Sequence, residues 1–255
     1  MRRQQAMGLV RQHGWQSIEI DTPSFALQAF TPAHLTRERH LTLYLEGDGF
    51  AWLNRSQPSS DPTPLNPLAL HLALAQPAGN AAYLARPCQF LAADRGTCAQ
   101  RYWTDARFAE EVVASLDLAV SQLKASAHAK QLTLVGYSGG AALALLLAAR
   151  RDDVQRVISV SGNLDHAAWT RHHKVQPLRS SLNPADLRTR LVEIKQVHLV
   201  GSADLVTPSE LTEGFVAGYP SRATAKVWVL PGYDHAHNWA ENWPELWRRI
   251  ETSTP

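Results

Sequence analysis

Leu132-Thr133-Leu134-Val135-Gly136-Tyr137-Ser138-Gly139-Gly140-Ala141-Ala142-Leu143 is the stretch on which the reading of this chain turns. An apolar, β-leaning run enters a glycine-flanked serine and a helix-forming Ala/Leu run leaves it, which predicts strand, very tight turn, helix. A serine on such a corner projects its hydroxyl clear of its neighbours. Backbone N–H groups at the new helix N-terminus are then placed to hold an oxyanion. The corner leaves no room for a Cβ two residues before or after the serine, and those places are Gly136 and Gly140. Gly139 adds a third residue able to accept unusual dihedrals. The bare G-x-S-x-G string also occurs by chance in loops; the strand before it and the long apolar helix behind it make it specific.

Working outward, strands are predicted at Ser17–Ile20 and Phe25–Phe30, near an antiparallel edge, and at Leu41–Leu45, Ala81–Ala85, Val154–Val160, Val197–Val200 and Val227–Leu230. Between them lie helical patterns. Ala6, Leu9 and Val10 predict a short amphipathic helix within residues 1–15, and Leu65–Ala75 is Leu/Ala-rich. Phe108, Val112, Leu116 and Val120 form one apolar stripe, capped by Thr104 or Asp105. Asn183-Pro184 opens a helix containing Leu187, Leu191 and Ile194. Thr207-Pro208-Ser209-Glu210 has capping-box spacing, and Trp239, Trp243, Leu246, Trp247 and Ile250 mark a closing helix. Such alternation predicts one α/β domain over residues 1–255, with a mostly parallel sheet of about eight strands and helices on both faces. Residues 161–194, holding Trp169 and His172-His173, are too short for a second domain and fit a small cap between strands 6 and 7.

The chain has 255 residues, of which 45% are hydrophobic and 19% charged, with a formal net charge of +2. This balance sets no strong field, and no basic cluster interleaved with aromatics points to nucleic acid. No apolar run is long enough to span a membrane, and Met1-Arg2-Arg3-Gln4-Gln5 lacks an apolar secretory core. A cytoplasmic location is expected for the sequence as it stands. Cys88 and Cys98 then read as unlinked cysteines; removal of an export signal would reverse this, with a periplasmic protein and a Cys88–Cys98 bridge. Oligomeric state leaves no mark on the sequence.

A serine hydroxyl needs a base to take its proton, and the base needs a third group to orient it and stabilise its charged form. Asp204 lies four residues past Val200 and 66 past Ser138; His235 lies five past Leu230 and 31 past Asp204. Both follow strand ends. Asp165 is the second candidate for the acid and His237 for the base, and a turn-forming or capping role is the ordinary reading of such an aspartate. His237 with His235 lacks a third ligand of metal-binding spacing, and His172-His173 reads as a solvated pair. The oxyanion donors are expected to be the N–H of Gly139 and that of Asp48 or Gly49, in the loop after the third strand. A carboxylate there would repel an oxyanion. The Asp48 side chain must therefore turn away onto other groups or meet a cationic part of the substrate, and Glu46 is expected to act in structural hydrogen bonding. Ser56–Pro67, with Pro58, Pro62, Pro64 and Pro67, is a candidate pocket wall. Tyr137, Trp52, Glu46 and Asp165 are candidate pocket residues, with Trp103 and Trp169 as further aromatics.

From about residue 17 onward the chain resembles the α/β-hydrolases. More closely it is similar to a group of bacterial α/β-hydrolases, many of them lipoproteins, through Glu46-Gly47-Asp48-Gly49-Phe50-Ala51-Trp52, Ser60-Asp61-Pro62-Thr63-Pro64, Leu84-Ala85-Arg86-Pro87-Cys88, Gly136-Tyr137-Ser138-Gly139-Gly140 and Gly162-Asn163-Leu164-Asp165. The resemblance implies a serine hydrolase with a Ser138, Asp204, His235 triad and settles no substrate; a small-molecule acyl substrate, with no cofactor or metal needed, is the expectation from the triad itself. An ester is the first expectation. Thioester or peptide hydrolysis by the same triad, or a binding protein that kept the fold without turnover, are the alternatives.

Overall fold

Strict alternation in Leu41, Thr42, Leu43, Tyr44 and Leu45 sends the leucines to one face of a sheet and Tyr44 to the other, and two apolar layers form on either side accordingly. The computed structural model describes residues 1–36, 38–91, 98–220 and 224–253. In chain order the elements are α1 (Arg2–Gln12), β1 (Trp15–Asp21), β2 (Ala26–Pro32), β3 (His40–Leu45), α2 (Leu68–Leu74), β4 (Asn80–Leu84), α3 (Glu110–Ser126), β5 (Gln131–Tyr137) and α4 (Gly139–Ala148). There follow β6 (Val154–Val160), α5 (His166–His173), α6 (Arg188–Leu191), β7 (Lys195–Gly201), α7 (Ser209–Ala217), β8 (Ala225–Leu230) and α8 (Trp239–Thr252).

The eight strands form one sheet in the order β1-β2-β4-β3-β5-β6-β7-β8. Strands β1, β2 and β4 pair antiparallel, and every pair from β4 through β3 to β8 is parallel. This is the predicted single-domain, mostly parallel α/β sheet. Helices α1, α2 and α8 cover one face; α3, α4, α6 and α7 cover the other. Helix α4, all Ala, Leu and Gly, is buried on every side and therefore has no polar stripe. Because the central strands are parallel, the loops leaving their carboxyl ends open onto one edge of the sheet, where an α/β fold builds its sites.

Three helix starts differ from expectation, and at each a threonine or asparagine with capping chemistry is bonded elsewhere. Helix α3 begins at Glu110 after a one-turn 3-10 helix, Gln100–Trp103, so neither Thr104 nor Asp105 caps it. The Thr104 hydroxyl donates to the Gln100 carbonyl, and Ser181 bridges the Asp105 carbonyl and the Phe108 N–H. The helix expected from Asn183 is split into a 3-10 turn, Pro184–Leu187, and the single turn of α6. The Asn183 side chain instead accepts from the His166 N–H and donates to Asp165. The capping box at Thr207 is not formed, since the Thr207 hydroxyl is given to Asp204.

Candidate active site

The turn after β5 holds Ser138 at φ 50° and ψ −118°, a left-handed backbone that carries a cost for any residue with a side chain. Its neighbours fix it there. The Ser138 N–H donates to the Val160 carbonyl of β6 at 3.0 Å, and its own carbonyl accepts from Asn163 at 3.0 Å. A side chain at Gly136 would run into Ala141 and Gly140, and one at Gly140 into the Leu45 carbonyl. Gly139 has a different reason to be glycine from the one expected. The positive φ falls on Ser138, and the space beside Gly139 is filled by the Asp48 carboxylate and Arg86.

Asp204 and His235 arrive at Ser138 from the carboxyl ends of β7 and β8. The His235 Nε2 lies 3.1 Å from Ser138 Oγ, and its Nδ1 lies 2.9 Å from Asp204 Oδ2. The Asp204 side chain is fully buried and its oxygens accept from the N–H groups of Val206 and Thr207 and from the Thr207 hydroxyl, each at 2.8 Å. Burial alone would raise its pKa, but His235 and the Thr207 donors outweigh it and hold the carboxyl at about 2. The Tyr137 ring packs against the imidazole with centroids 5.3 Å apart.

The competing residues are used otherwise. His237 is folded onto Asp234, with Nδ1 2.8 Å from Oδ2, and its ring is 81% exposed. Asp165 does not reach the cleft: its Oδ1 accepts from Ala167 and Ala168 at the start of α5 and from Asn183, so it caps that helix. Trp103 is buried beneath the wall, donating to the Ser59 carbonyl at 3.0 Å.

The Gly47-Asp48-Gly49 loop resolves the difficulty of its carboxylate by pairing it. Arg86 Nη1 and Arg107 Nη1 each hold one oxygen of Asp48, the latter at 2.5 Å, and both guanidinium groups are almost wholly buried. Arg86 also donates to the Arg107 carbonyl at 2.6 Å, and Arg107 Nε to the Thr104 carbonyl at 2.7 Å. Burial opposes ionisation of Asp48, but the two arginines keep its pKa below the usual carboxylate range. Among the described residues no hydrogen bond takes the N–H of Asp48, Gly49 or Gly139, so all three remain available. Glu46 has the structural role expected: it accepts from Gly47 N–H at 2.9 Å and from the Tyr83 hydroxyl at 3.0 Å. Its burial pushes it up to about 7 against those donors and the N–H groups of Ala69 and Leu70. Sequence reasoning missed Arg86, Arg107 and Thr207. Only Thr207 left a local signal, as the third residue after an aspartate in a turn.

These groups line a cleft of about 640 Å³ that contains Ser138, His235, Tyr137, Glu46, Asp48 and Gly49, with Trp52 and Trp169 facing it. Trp52 sits on a small hairpin in which Ser59 N–H donates to the Ala51 carbonyl and Leu53 N–H to Gln57. Trp169, on α5, donates to the Val206 carbonyl at 2.7 Å, and His173 lies 2.8 Å from the same oxygen. Cys88 and Cys98 are joined in a disulfide, their Cα atoms 5.4 Å apart, and so are not the unlinked pair expected. Cys88 has φ 72° and is buried against Trp103 and Ala51, while Cys98 is exposed. Residues 92–97 of the loop between them lie outside the described residues.

The sequence pattern of the dienelactone hydrolase family matches residues 81–243. No curated protein sequence matches the chain at a significant level. Solved structures match closely in fold. An alpha-beta serine hydrolase homologue from Coxiella burnetii superposes with a TM-score of 0.64 at 16% identity, covering 92% of this chain and 96% of that one. Est1E from Butyrivibrio proteoclasticus gives 0.65 at 14% identity, covering 92% and 97%. An esterase from Pyrococcus furiosus gives 0.64 at 14% identity, covering 93% and 90%. Among the described residues no helix is long and apolar enough to cross a membrane.

Proposed function

Since the chain belongs to the dienelactone hydrolase family, we propose that it is a serine hydrolase cleaving a carboxylic ester through a covalent acyl-enzyme on Ser138. One observation carries this reading: hydroxyl, imidazole and carboxylate stand in a row, with gaps of 3.1 Å and 2.9 Å, across three loops remote in sequence. His235 Nε2 takes the Ser138 proton as Oγ attacks the carbonyl carbon, and Asp204 holds the imidazole in the right tautomer and stabilises its cation. The oxyanion is met by the N–H of Gly139 and by that of Asp48 or Gly49. Collapse expels the alcohol, which leaves with the proton from His235. Water, deprotonated by the same imidazole, then releases the acid and restores Ser138. This sequence of steps calls for no metal or cofactor. The 161–194 segment acts as the cap, through Trp169 over the cleft.

A fluorophosphonate probe tests the reading. Ser138 is expected to label in the folded protein, and labelling to be lost in Ser138→Ala and strongly slowed in His235→Ala. Absence of label on folded wild-type protein sinks it.

A further inference from the structure

We propose that the substrate is an ester carrying a long aliphatic chain, and that the chain lies in a second, apolar lobe of the cleft beyond Trp52 and Trp169. The inference rests on Ser138 being the nucleophile. Beside the cleft that holds Ser138 is a cavity of about 790 Å³ that shares Trp52, Arg107, Trp169 and Val206 with it. The two spaces adjoin across these four side chains as two limbs, and the nucleophile stands in only one of them. A short acyl group would leave the second limb empty.

The chemistry of that limb selects its occupant. Val175, Pro177, Leu178 and Val206 add aliphatic surface to the two indoles. Arg107, the charged group on the shared boundary, presents no free charge: its side chain is 6% exposed and is paired with Asp48. Asn54, Arg55, Thr104, Asp105 and Gln176 also line this limb; alongside them the two indoles and four aliphatic residues offer a surface for a methylene chain, each buried methylene being worth up to about fourfold in binding.

Apolar surface continues outside the groove. Among the described residues nine large apolar side chains are exposed; Trp52, Leu65, Val175 and Val206 line the two limbs, and Leu53 and Leu205 adjoin them in the chain. Leu205, next to Asp204, is 83% exposed. Apolar residues gathered in this way around one opening mark a site that meets an apolar ligand, whereas scattered ones carry no such meaning. The rim therefore extends the track along which an aliphatic chain enters.

The test is a chain-length profile below the micellar range, with p-nitrophenyl acetate through decanoate placing the chain on the acyl side and acetates of methanol through decanol placing it on the alcohol side. In one of the two series kcat/KM is expected to rise by about a hundredfold from the shortest to the longest member. Val175→Glu puts a charge on the exposed wall of the second limb, and it is expected to cut the long-to-short ratio about tenfold. Leu118→Glu, at an exposed leucine of α3 outside both limbs, leaves that ratio unchanged. Flat or falling profiles in both series, from protein that hydrolyses the acetates and labels at Ser138, overturn the long-chain assignment and leave the hydrolase reading standing. Failure of Ser138 to label removes both.

Discussion

The Asp48 carboxylate fills the space in which a side chain on Gly139 would begin, although the two residues are 91 positions apart. Gly139 is held to glycine by a neighbour rather than by its own dihedrals. Gly139→Ala must push away a carboxylate that two buried arginines hold in place. Its kcat on p-nitrophenyl acetate is expected to fall about 10²-fold with a smaller change in KM, because the displaced loop carries an oxyanion donor. Steady-state kinetics beside a thermal melt decide it; wild-type kcat would mean that the Asp48 loop plays no part in catalysis.

Asp48→Asn leaves Arg86 and Arg107 with a neutral partner in a site where both are nearly inaccessible. A loss of about 2–4 kcal/mol in urea denaturation at neutral pH is expected, the cost of uncompensated buried charge. The folded pKa of Asp48 is depressed, so its contribution is present above the unfolded carboxyl value and fades as pH falls through the folded one. The gap between wild type and variant should therefore narrow in strong acid.

Glu46 behaves in the opposite sense. Its folded pKa of about 7 exceeds the reference 4.5, so the native state holds a proton that the unfolded chain has released across that window. Stability from this group is complete below about pH 4.5 and is lost as pH rises through 7. Glu46→Gln removes the slope. Relative to wild type it should gain on the order of 3 kcal/mol between pH 4.5 and 8, read from denaturation midpoints at the two pH values; parallel curves would refute the assignment.

Ser138→Ala and Ser138→Gly are both expected to lose turnover by about 10⁴-fold or more. They part in stability. At φ 50° alanine keeps the strain of a Cβ and glycine does not, so the glycine variant should exceed the alanine one by about 1 kcal/mol. Equal midpoints would show the turn to be relaxed.

His237→Ala is expected to change kcat/KM less than about twofold, since its ring is held outward by Asp234, whereas His235→Ala should cost about 10³-fold or more. Thr207→Val removes the hydroxyl that bonds Asp204, and an intermediate loss of about tenfold is expected in kcat. Substantial loss in the His237 variant would reverse the choice of base.

Strands and the three residues brought together at the cleft were legible because each rests on local pattern: apolar alternation, a glycine-flanked serine, and polar residues just past strand ends. Helix starts were less so. Thr104, Asn183 and Thr207 all have capping chemistry, but Thr104 and Thr207 turn back onto Gln100 and Asp204 just before them in the chain, and Asn183 is claimed by Asp165, 18 positions away. Arg86 and Arg107 were invisible for the same reason, their shared carboxylate being 38 and 59 positions away. Asp165 fell on the wrong side of that line, a capping residue whose place after a strand made it resemble a pocket group.

The buried half of the Cys88–Cys98 cystine, Cys88, packs with Ala51 and Trp103 and so adjoins the hairpin that presents Trp52. Ser138, Asp204 and His235 hang from β5, β7 and β8, and Ala51 and Trp103, which pack with Cys88, belong to none of those strands. Thiol reagents should therefore loosen discrimination between substrates well before they stop hydrolysis of a small ester, so that fidelity and turnover answer to different parts of the molecule. Kinetics on short and long esters with and without dithiothreitol would separate the two, and equal losses on both would show that the cystine underpins the whole site.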